Sequence, residues 1–126
     1  MSEMYLGLMS GTSLDGIDAA IVQFASTVPH ILAAYTLPYT HEFRDALIQL
    51  ARGRSHDEIE QLGQLDRQLG QLFADAALEV LRRAKQPPHA VVAIGSHGQT
   101  VRHRPSGSMP FTLQIADPNL IAEITG

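Results

Sequence analysis

Cysteine is absent from the 126 residues, so neither a disulfide framework nor a thiolate metal site is open to the chain, and a cytosolic setting is compatible. Tryptophan is absent too. Aromatics make up only 6% of a chain that is 44% apolar, which leaves Leu, Ile, Val and Ala to build the core. Positive charge is scarce: 9 Lys and Arg stand against 13 Asp and Glu, for a net charge of −4. That balance argues against nucleic acid or an anionic membrane as the main partner. Any bound phosphate then has to be held by backbone dipoles, hydroxyls and metal more than by Lys or Arg. No stretch approaches the ~20 apolar residues of a membrane span. Nor does a basic segment precede an apolar run near Glu3, as a secretion signal would require. The reading is a soluble, cytoplasmic domain with one core, burying roughly two-thirds of its unfolded surface.

What the chain does have is concentrated in YLGLMSGTSLDGIDAAIVQF, Tyr5 to Phe24. A short apolar run leads into Ser10 to Gly16, and apolar, β-branched residues resume from Ile17, which reads as strand, tight turn, strand. Asp15-Gly16 favours a hairpin, since Gly accepts positive φ without a Cβ clash. Two hydroxyls and successive backbone N–H groups around the turn would form a concavity for an oxyanion. The alternative is an ordinary Gly-rich hairpin in which Thr12 and Ser13 bond their own backbone. Two familiar phosphate loops are excluded, because no Lys follows Gly16 and the spacing of Gly7, Gly11 and Gly16 is not that of a dinucleotide fingerprint.

Ser26 to Val28 reads as a polar break, and Pro29 to Tyr39 as a third strand completing an antiparallel meander. Thr40 is placed to cap a helix through Ala51, with Gly53 as its stop. Ser55, with Glu58 three residues on, is read as the cap of a longer helix to about Lys85, whose leucine stripe is core and whose glutamine-rich face is solvated. Gly63 and Gly70 inside it mark close approach of another backbone. Pro87-Pro88 ends that helix. Ala90 to Ile94 has the continuous apolar character of a strand buried on both faces, with the polar cluster Ser96, His97, Gly98 and Gln99 at its end, where open α/β sheets collect ligands. Strands at Thr100 to Arg104 and Phe111 to Ile115 follow, then a helix opened by Asp117-Pro118. His30, His41, His56 and His89 have no metal-ligand spacing. Arg102, His103 and Arg104 read as a solvated edge. Asp18, in a strand just after the loop, is harder to explain structurally and is read as lying near a phosphate or sugar.

Three segments together resemble a known family: GLMSGTSLDGIDAA (Gly7 to Ala20), GSHGQTVRHRP (Gly95 to Pro105) and TLQIADPNLIAEITG (Thr112 to Gly126). In this order they are similar to the N-terminal part of the anhydro-N-acetylmuramic acid kinases of bacterial peptidoglycan recycling, within the acetate and sugar kinase, heat-shock chaperone and actin superfamily. The resemblance implies an α/β, ribonuclease H-like (actin-like ATPase) lobe: a mixed five-stranded sheet begun by a three-strand antiparallel meander, with helices on its faces. Residues 1–126 would be the N-terminal lobe of a two-lobed sugar kinase, with the C-terminal lobe absent.

The activity implied is the use of ATP and water to open 1,6-anhydro-N-acetylmuramic acid and phosphorylate it to N-acetylmuramic acid 6-phosphate, with ATP and Mg²⁺ as cofactors. By the same resemblance the phosphate-binding loop is Gly11, Thr12, Ser13, Leu14, Asp15, Gly16, Ile17 and Asp18, and the sugar site draws on Ser96, His97, Gly98 and Gln99. Met9 stands where many superfamily relatives carry an Asp, so a carboxylate near the metal would be Asp15, Asp18 or one outside the chain. The family's catalytic aspartate falls past Gly126. None of the catalytic residues is therefore expected here, and the fragment is expected to be inactive alone. The implied partners are the amino sugar and ATP, with a homodimer as one arrangement. A non-catalytic nucleotide-binding or interaction module of the same superfamily is the competing reading.

Overall fold

The computed structural model describes residues 3–25 and 27–126. Five strands, β1 (Glu3–Ser10), β2 (Gly16–Phe24), β3 (His30–Pro38), β4 (Val91–Arg104) and β5 (Phe111–Ile115), form one mixed sheet in the order β3-β2-β1-β4-β5. β1, β2 and β3 are the expected antiparallel meander. β4 lies parallel to β1, and β5 turns back antiparallel on β4. Of the break expected at Ser26 to Val28, Ser26 lies outside the described residues.

The helices are α1 (His41–Ala51), α2 (Glu58–Ala84) and α3 (Pro118–Thr125). Thr40 caps α1 by accepting from the Phe43 amide, and Gly53 at φ 67° ends it, with the Arg54 amide returning to the Gln49 carbonyl. For α2 the cap is Asp57, whose side chain accepts from the Glu60 amide; Ser55, the residue expected from the sequence, lies two positions too early. Both residue types cap well, and the backbone settles the choice, because the extended conformation that precedes the first turn falls at Asp57. Asp117 caps α3 with Pro118 at its first position, as read from the sequence.

Alternation in the strands sends one set of side chains to the helices and leaves the other open. Leu6, Leu8, Ile17, Ala19, Ile21 and Ile115 join Leu47 and Leu50 of α1, Leu65, Leu69, Phe73 and Val80 of α2 and Ile121 of α3 in a single buried cluster.

 

The opposite face carries Gly7, Met9, Asp18, Ala20, Ala34, Thr36, Gly95 and His97, which line a shallow concavity. Residues 91–98 of β4 have no strand on the side away from β1 among the described residues, since β5 pairs only from Gln99 onward.

Three local expectations change. Ala90 to Ile94 and Thr100 to Arg104, read as separate strands, belong to one 14-residue strand in which Ala90 is excluded and Val92 is 58% exposed, so the first half is not buried on both faces. The cause is the uncovered opposite face of the sheet, together with the missing neighbour on the outer edge. Of the two helix glycines, Gly70 does mark a close approach, because a Cβ there would stand 3.0 Å from the Asp117 carbonyl oxygen; Gly63 has nothing within 4 Å. Gly16 does not supply the positive φ of the hairpin. That conformation belongs to Leu14 at φ 57°, while Gly16 opens β2 where a Cβ would fall 2.4 Å from the Leu37 carbonyl oxygen.

Candidate functional site

The connection between β1 and β2, residues 11–15, begins where β1 ends beside β4. The Leu14 amide donates to the Gly11 carbonyl at 3.2 Å, closing a turn with Thr12 and Ser13 at its tip. Leu14 then anchors the loop by packing against the core cluster. Thr12 and Ser13 are exposed, and among the described residues their amides meet no acceptor. Among the described residues neither hydroxyl bonds the loop's own backbone, as the ordinary-hairpin alternative would have it. Leu14 is partly buried against the core and not folded over the tip of the turn as an exposed side chain. Two adjacent amides without an internal acceptor, on exposed residues that also carry hydroxyls, are groups that can receive an anion.

The loop is braced from three directions. Arg44 of α1 donates to the Ser13 carbonyl at 3.3 Å and lies 3.7 Å from the Asp15 carboxylate. The Tyr39 amide donates to the Asp15 carbonyl at 3.0 Å. Behind the loop, the Ser10 hydroxyl donates to the Gln99 side-chain oxygen and accepts from the Tyr39 hydroxyl at 2.8 Å, while the Gln99 side-chain nitrogen donates to the carbonyls of Gly11 and Thr100, each at 3.2 Å. Ser10 and Gln99 are both buried. An exposed ion pair such as Arg44 with Asp15 contributes little stability, so its effect is to orient the loop.

Burial pushes the Tyr39 hydroxyl up to about 12, opposed by its bond to Ser10. Because this folded value lies above the unfolded value near 10, the contribution of Tyr39 to stability is complete below about pH 10 and is lost as pH rises toward 12. We expect Tyr39→Phe to flatten that alkaline fall in a denaturation series across pH, with tyrosinate absorbance losing its latest-titrating component.

The four residues of the second cluster do not converge. Leu8 pairs with Ser96 and Ser10 with Gln99, so β4 carries one extra residue across His97 and Gly98, a bulge that re-aims its side chains. Ser96 lines a groove on the helix side with Leu6, Pro118 and Ile121, whereas His97 faces the open side with Asp18 and Thr36. Gln99, expected with them on the sugar, is fully buried and its polar atoms are engaged internally. Gly98 has φ 76°.

Within the first cluster, Gly16 and Ile17 are buried; Ile17 is a core residue, so its part is to anchor the strand leaving the loop. Asp18 is exposed on the open face and accepts from the Thr36 hydroxyl at 2.6 Å. Tyr39, Arg44 and Thr36 were not anticipated from the sequence. The available signal was their position, at the end of a strand whose neighbour carries the loop and in the first turns of the helix that follows.

The sequence profile of anhydro-N-acetylmuramic acid kinase matches residues 3–126. The chain belongs to the anhydro-N-acetylmuramic acid kinase family. It is 48% identical over 124 residues to the anhydro-N-acetylmuramic acid kinase of Shewanella denitrificans, covering 98% of this chain and 33% of the relative. It is 47% identical over 126 residues to that of Xylella fastidiosa, covering 98% and 33%, and 47% identical over 124 residues to that of Coxiella burnetii, covering 98% and 32%. The chain thus spans about a third of the length of the curated relatives it matches. Both motif clusters lie inside the region shared with the anhydro-N-acetylmuramic acid kinases.

Proposed function

We propose that this chain is the nucleotide-binding N-terminal lobe of a cytoplasmic kinase that uses ATP and water to open 1,6-anhydro-N-acetylmuramic acid and phosphorylate the released hydroxymethyl oxygen. The amides of Thr12 and Ser13, exposed and without an acceptor among the described residues at the braced tip of the β1–β2 loop, carry this reading. In it, the loop amides and hydroxyls hold phosphate oxygens, which suits a chain with few cations. His97 and Asp18, on the same open face, are the groups available to a sugar hydroxyl. The reaction also asks for a carboxylate to activate water. Asp15 is paired with Arg44 and Asp18 is hydrogen-bonded to Thr36, so neither is assigned that part.

Among the described residues no three His, Asp or Glu side chains gather as a metal site. A Mg²⁺ carried by nucleotide phosphates needs only one or two protein carboxylates, for which Asp15 and Asp18 are the ones nearest the loop, and no step is assigned to the ion on this lobe. The test is titration of the chain with ATP and, separately, with the anhydro-sugar, followed by amide NMR. We expect ATP to shift Thr12 and Ser13 and the sugar to shift His97, with no phosphorylated product formed by the 126 residues alone. Nucleotide shifts with no sugar response would favour a non-catalytic nucleotide-binding module. Silence of Thr12 and Ser13 toward ATP would end the reading.

A further inference from the structure

Gln99 joins two regions that the chain separates widely. Its side-chain nitrogen reaches the Gly11 carbonyl, at the root of the loop, while its own backbone continues directly from the His97–Gly98 bulge. Its side-chain oxygen is held by Ser10, whose hydroxyl is in turn held by Tyr39, the residue whose amide bonds Asp15 at the far end of the same loop. The side chain is fully buried, so no water can substitute for a partner that moves away. Gly98 leaves the bulge little freedom on its other side, because it already lies against the Ile115 carbonyl. A displacement of Gly11 therefore has a short, closed side-chain route into β4, beside the backbone pairing of Ser10 with Gln99.

We propose that Gln99 is a positioning residue that couples the loop of residues 11–15 to the β4 bulge, so that an anion seated at Thr12 and Ser13 changes the setting of His97 and Gly98. This rests on the reading of the loop as a phosphate site and adds that the two halves of the site are mechanically linked through one buried amide. Gln99 touches no ligand; it acts through Gly11 on one side and the bulge on the other.

The experiment is an ATP titration of the full 126-residue chain, observed through backbone amides and through the side-chain amide of Gln99. In the parent chain, Thr12, Ser13, the Gln99 side-chain amide, His97 and Gly98 are expected to shift along one binding curve. In Gln99→Met, which preserves bulk without hydrogen bonds, Thr12 and Ser13 still shift while the response of His97 and Gly98 is lost. A response at His97 and Gly98 that persists in Gln99→Met would overturn the coupling. So would a Gln99 side-chain amide that stays still in the parent chain while Thr12 and Ser13 shift, a result that does not depend on the variant folding. No shift at Thr12 and Ser13 in the parent chain would instead remove the phosphate reading itself, and the coupling with it.

Discussion

Gly98→Ala is expected to destabilise the fold by about 3 kcal/mol, combining the strain of a non-Gly residue at positive φ with a steric overlap. Gly98 sits at φ 76°, and a Cβ there would stand 2.6 Å from the Ile115 carbonyl oxygen. That oxygen belongs to the backbone of β5, so relief requires the two strands to part. Parting them would also shift Gln99, which pairs with Ile115 and carries the brace behind the loop. Gly95→Ala is the control, since it lies on the same strand with nothing within 4 Å of the added carbon. Denaturant unfolding of the two variants should separate them clearly. Equal stability would mean that β4 and β5 do not approach as closely as described.

Phe73→Ala should cost about 3–5 kcal/mol, the range for removing a large aromatic from a packed interior. Phe73 heads the largest fully buried side chains and is 0% exposed. It stands on the α2 face that meets the strands, so the space left behind lies between helix and sheet, where neither element can collapse freely. Because native domains have only about 5–15 kcal/mol of stability, a loss of this size is expected to leave a substantial unfolded population on modest heating. Thermal unfolding by circular dichroism measures it, and a change below 1 kcal/mol would show that the Phe73 site repacks.

The meander, the two long helices and the Asp117-Pro118 start were legible because each rests on local signals: alternation, leucine spacing and caps. The loop was legible for the same reason, as Thr12 and Ser13 sit at the tip of a turn whose residues are contiguous. What escaped the sequence depended on contacts between distant segments. Leu14 adopts the left-handed conformation because its side chain is drawn into the core, which outweighs the local preference for Gly16. Gln99 looked like a ligand contact because it is polar and follows a strand, yet the one-residue bulge at His97 and Gly98 turns it inward, and that bulge is set by pairing with β1 and β5. Burial of Ala90 to Ile94 on both faces does not follow from its apolar run, because such a run carries no record of which faces and edges are covered.

The parallel seam between β1 and β4 has a kinetic consequence. The meander and the β4–β5 hairpin join residues close in sequence, whereas Ser10 and Gln99 are 89 positions apart. Contacts of that separation bear the largest loop-closure cost and tend to govern the rate at which a chain folds. The brace behind the β1–β2 loop therefore depends on the most distant closure among these strand pairings, and the rate at which a refolding chain recovers the protected Gln99 side-chain amide would time that closure.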